Sequence, residues 1–127
     1  MEYAGVIVAA IAAYAFGAVW YMLLGKQWMA AAGISPDSIN RSNPTPYILS
    51  FVAVLLVAGM MRHAFTQAGI GTAGTGLIAG FGLGAFIAAP WTITNYAYAG
   101  RPPSLMLIDG VYTVVGCSII GLVLTLF

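Results

Sequence analysis

Four long apolar stretches, separated by short polar or Gly/Pro-rich breaks, occupy most of the 127 residues. Crossing the hydrocarbon core of a bilayer takes about 20 predominantly apolar residues in helical form. The pattern predicts four such helices, at about 3–24, 46–66, 75–98 and 104–127. The second is the least uniform, because Arg62 and His63 stand near its end, where long polar side chains can snorkel toward water. An open sheet cannot satisfy its backbone in lipid, and the alternating segments of a barrel are too few here. The expected fold class is therefore all-α: four transmembrane helices in a compact antiparallel bundle that forms one membrane domain.

The breaks carry their own signals. Within the loop 25–45, the run Lys26 to Ala32 continues the helical pattern and stops at Gly33, with Trp28 at headgroup depth. Ser35, Pro36 and Asp37 read as a cap, a first-turn proline and a first-turn acid, ahead of the Asn43-Pro44-Thr45-Pro46 breaker. Residues 69–74 and the Gly100-Arg101-Pro102-Pro103 turn separate the remaining helices. Pro90 interrupts the third helix; it cannot donate to the Phe86 carbonyl, so a kink is expected there.

Composition agrees with a lipid solvent: 61% of residues are hydrophobic and only 6% charged, against roughly a quarter charged in ordinary soluble domains. The net charge of +1 offers no basic field for nucleic acid, which leaves the bilayer as the first expected partner. A single cysteine, Cys117, precludes an internal disulfide. Met1-Glu2-Tyr3 lacks the basic region of a cleaved signal, so the first stretch is expected to be a retained span. Lys26, Arg41 and Arg101 fall on one side of the predicted topology and Arg62 on the other. The positive-inside rule then places both termini away from the cytoplasm.

Lipid tails are as apolar as leucine, so such helices associate through close backbone approach at small residues and through scattered polar contacts. Three small-residue faces suit this: Gly5, Ala9, Ala13 and Gly17; Gly76, Gly80, Gly84 and Ala88; and Thr113, Cys117 and Gly121. Trp20, Tyr21, Trp28 and Tyr47 fall where an interfacial aromatic belt belongs.

One acid, Asp109, stands inside an apolar stretch. It lies five residues past Ser104, about 7–8 Å along the helix, below the headgroups but short of the midplane. Acids at membrane depth are candidates for function, and Asn95, Thr92, Thr94 and Arg101 form the candidate polar site around it. The alternative is a structural tie from Asp109 to Arg101, Lys26, a tyrosine hydroxyl or a tryptophan indole. His63 lacks the second strong ligand that a haem or metal needs. No catalytic set of nucleophile and base, no paired acids and no phosphate loop follow from the sequence, so a non-enzymatic protein without cofactor or metal is expected.

Gly17-Ala18-Val19-Trp20-Tyr21, Leu24-Gly25-Lys26, Trp28 and Gly33, followed by Arg101-Pro102, Leu107-Ile108-Asp109-Gly110 and Tyr112, resemble the two signature segments of the domain-of-unknown-function 1761 family. The resemblance implies a small four-span bacterial membrane protein and brings no catalytic residues. The expected role is helix packing or assembly in the bacterial inner membrane, as a homo-oligomer or an accessory subunit of a larger complex. The alternative is a small transporter or channel for a proton, cation or small solute using Asp109 and Asn95.

Overall fold

Helix is the only repetitive structure that closes its backbone hydrogen bonds within one apolar segment, and the computed structural model is helical almost throughout. It describes residues 3–35, 37 and 43–127; Met1, Glu2, Pro36 and Arg41, which enter the sequence reading above, lie outside these. Helix α1 spans Tyr3–Leu23, α2 Gly25–Ala32, α3 Thr45–Ala68, α4 Ala73–Leu83, α5 Ala89–Tyr98 and α6 Pro103–Leu126. A π-helical stretch, Gly84–Ala88, joins α4 to α5. Among the described residues, four helical stretches are long and apolar enough to cross a membrane: Tyr3–Leu23, Thr45–Ala68, Ala73–Tyr98 and Pro103–Leu126.

Local chemistry sets the ends. Gly33 and Gly69 close α2 and α3 in the left-handed conformation, with φ of 72° and 73°, a region that glycine enters without a Cβ penalty. Pro46 occupies the first turn of α3, where its missing N–H is not needed. Thr72 and Thr75 form a reciprocal capping box at the start of α4. The second span extends to Ala68, so Arg62 and His63 stand inside it, more than a turn before its end.

Helix α6 is the centre of the molecule. It packs along α4, α5 and the π-helical stretch on one side and along α1 on the other, while α3 lies mainly against α1. The two small-residue seams are intimate. A Cβ on Gly84 would stand 2.7 Å from the Val114 Cα. One on Gly80 would run into the Cys117 carbonyl oxygen, and one on Gly76 into Thr125 and the Gly121 carbonyl. On α1, Gly5, Ala9, Ala13 and Gly17 are all buried; a Cβ on Gly17 would meet the Tyr112 ring at 2.7 Å. Ala88 is only half-buried, in the π-helical stretch.

The apolar core gathers at one end of the bundle: Val6, Ala9, Ala10 and Ala13 of α1, Ala58, Met61 and Phe65 of α3, and Ile120 and Leu124 of α6. Arg62 also turns inward there instead of snorkelling, and its Nη2 donates to the Leu124 carbonyl at 2.8 Å. Carbonyls in the last turn of a helix lack helical partners and favour a cation, which explains the direction the side chain takes. Its Nε is buried without a partner among the described residues.

Candidate polar site

The opposite end of the bundle is held by polar and aromatic groups. Asp109 lies six residues into α6, about 9 Å along its axis, and is only 8% exposed. Its side chain enters the crevice between α1 and α5. Tyr21, near the end of α1, donates its hydroxyl to Oδ1, and Tyr96, near the end of α5, donates to Oδ2. One carboxylate therefore ties three spans. Beside it, the Trp20 Nε1 donates to the Ile108 carbonyl at 3.0 Å, a second bond from α1 to α6.

An aromatic wall supports these donors. Tyr21 meets the Tyr112 ring at 5.3 Å and the Trp28 ring at 6.3 Å, both edge-on. Phe16 stacks on Trp20 and on Tyr112. Such pairs add specific geometry to plain burial. Trp20, Tyr21 and Trp28 are thus half-buried members of the site and not only a belt at the interface. Tyr47 is exposed, and its carbonyl accepts from the Tyr14 hydroxyl at 3.2 Å.

The residues expected around Asp109 go elsewhere. Asn95 is exposed on α5. Thr92 and Thr94 donate to the Ala88 and Pro90 carbonyls of their own helix, at 2.9 and 3.0 Å. A threonine hydroxyl in a helix finds the carbonyl four residues back most easily, so both side chains are satisfied within their own span. Arg101 donates from Nη1 to the Ala32 carbonyl at 2.8 Å. It caps the C-terminal end of α2, where helix carbonyls favour a cation. Cys117 contributes its backbone to the Gly80 crossing and its thiol is free. Among the described residues, no group of three or more His, Cys, Asp or Glu could hold a metal.

The π-helical stretch is the feature that the sequence reading did not contain. The Ala89 N–H reaches back five residues to the Gly84 carbonyl, one turn before Pro90. The sequence signal was available in two parts: a proline that displaces the Phe86 carbonyl, and Gly84, whose missing side chain lets the widened turn lie on Val114.

Four membrane-length apolar helices with an acid sealed among their ends define a multi-pass integral membrane protein. The chain belongs to the family described as a protein of unknown function (DUF1761), which it matches over residues 4–125. No curated protein and no solved structure matches it.

Proposed function

We propose that this is a non-enzymatic helix-packing and assembly protein, working as a homo-oligomer or as an accessory subunit of a larger membrane complex. The observation that carries the reading is the state of Asp109: both carboxylate oxygens are engaged by tyrosines of neighbouring spans, as a joint between helices would have them. A second observation supports the assembly part. Helix α3 buries only Ala58, Met61 and Phe65 of its 24 residues, leaving most of its length available to lipid or to a helix from another chain. The setting we infer is the bacterial inner membrane, with both termini on the periplasmic side. In mild detergent the protein should migrate as a defined oligomer or retain a partner on native co-purification. A monodisperse, partnerless monomer would overturn the proposal.

The π-helical stretch and Pro90 in the third span favour a second reading, a small transporter or channel. π-turns inside helices occur frequently at functional sites, and here the segment beyond the π-turn carries Tyr96, which donates to Asp109. This reading predicts proteoliposome flux of a proton, cation or small solute that Asp109→Asn abolishes while assembly persists. Equal flux in wild-type, variant and empty vesicles would remove it.

A further inference from the structure

The third span is built from two halves that are attached to α6 in different ways. Helix α4 and the π-helical stretch are set against α6 backbone to backbone: Gly76, Gly80 and Gly84 are buried, with no room for a Cβ against Gly121, Cys117 and Val114. Helix α5 makes no such seam. Ala89 is its only buried residue. An open apolar groove of about 430 Å³ runs along its flank, with Ala89 and Ile93 on one wall and Met106, Gly110 and Val114 of α6 on the other. The side-chain hydrogen bond that reaches from α5 to α6 is Tyr96 to Asp109.

Between the halves lies the weakest backbone of the span. A π-turn and a proline two residues past its end both loosen the hydrogen-bond ladder, and sharp bends in helices concentrate at such points. At its far end α5 joins α6 through residues 99–102. The turn closes on α5 itself, the Arg101 N–H donating to the Tyr96 carbonyl at 2.9 Å, which makes it part of the α5 end.

We propose that α5 is a hinged arm, pivoting at Gly84–Pro90 and latched to α6 by the hydrogen bond from Tyr96 to Asp109. Release of the latch opens the crevice over Asp109 while the α4–α6 seam stays closed. The α1 side of the site does not depend on the latch, because Tyr21 and Trp20 hold α1 to α6 independently. The arm is thus the one wall of the site that can move alone.

Pulsed electron-electron spin resonance on the full chain in bilayers tests this. In a Cys117→Ala background, one label pair sits at Ala97→Cys on α5 and Ala18→Cys on α1, both exposed positions. A reference pair sits at Leu77→Cys on α4 and Leu126→Cys on α6, also exposed. Tyr96→Phe should add a second population to the α5–α1 distances, displaced by several ångströms, and leave the reference pair unchanged. Tyr21→Phe, which removes the other hydroxyl on the same carboxylate, should leave both distributions as they were. Pro90→Ala in the Tyr96→Phe background should narrow the α5–α1 distribution again. An unchanged α5–α1 distribution in Tyr96→Phe would overturn the proposal, and so would equal broadening in Tyr21→Phe or broadening of the reference pair.

Discussion

Asp109 shows how much one residue can do in lipid, where water does not compete for its oxygens. Hydrogen bonds between membrane helices measure about 0.6 kcal/mol on average and reach about 1.7. Tyr21→Phe and Tyr96→Phe should each lower stability against SDS unfolding by that order, followed through helical circular dichroism. Asp109→Ala should cost more, about 1–3 kcal/mol, because it leaves two part-buried hydroxyls without their acceptor at once. Residues that share one acceptor are coupled: in the Asp109→Ala background Tyr21→Phe should cost almost nothing, and a full additive loss there would show that Tyr21 acts through its ring contacts with Tyr112 and Trp28. The importance of Asp109 was legible in the sequence, as the only acid within an apolar stretch. A tyrosine hydroxyl stood among its possible partners, but which tyrosines would reach it was not legible, since Tyr21 lies 88 positions away and several polar groups shared its level. What decided among them was local competition: Thr92 and Thr94 are satisfied by their own helix, and Arg101 by the end of α2.

At the scale of the helices, boundaries were the legible part. Proline and glycine signals marked the ends to within two or three residues, because caps and turns are local chemistry. The four-residue spacing of small residues was visible too, but spacing alone does not say which glycines meet a backbone. Gly80 and Gly82 make the distinction testable. A Cβ at Gly80 collides with the Cys117 carbonyl, whereas one at Gly82 meets nothing within 4 Å. Gly80→Ala forces α4 off α6 and should destabilise by about 1–3 kcal/mol, the usual range for overpacking. Gly82→Ala should be neutral or stabilising by up to about 1 kcal/mol, since alanine is the better helix former. SDS titration of the two variants side by side checks the seam, and equal losses would argue against it. The π-helical stretch escaped sequence reading for a related reason: proline signals a bend, but the form of the bend depends on what the neighbouring helix permits.

The molecule as a whole has two unlike ends. Val6, Met61, Phe65 and Leu124 fill an apolar core at one, while hydrogen bonds and aromatic edges hold the other. An end closed by dry packing resists opening because any gap forfeits contacts outright, whereas a few hydrogen bonds can be exchanged singly. The polar end also carries Lys26 and Arg101, and a cytoplasmic excess of basic residues sets the orientation of membrane proteins. The site should therefore face the cytoplasm. Single cysteines in a Cys117→Ala background settle the matter: Gln27→Cys, exposed on α2, reports the polar end, and Gly71→Cys, exposed with open space around it, reports the other. A membrane-impermeant maleimide applied to spheroplasts should label Gly71→Cys directly and Gln27→Cys only after the membrane is permeabilised. The reverse pattern would place the Asp109 end outside, and with it the crevice that α5 covers.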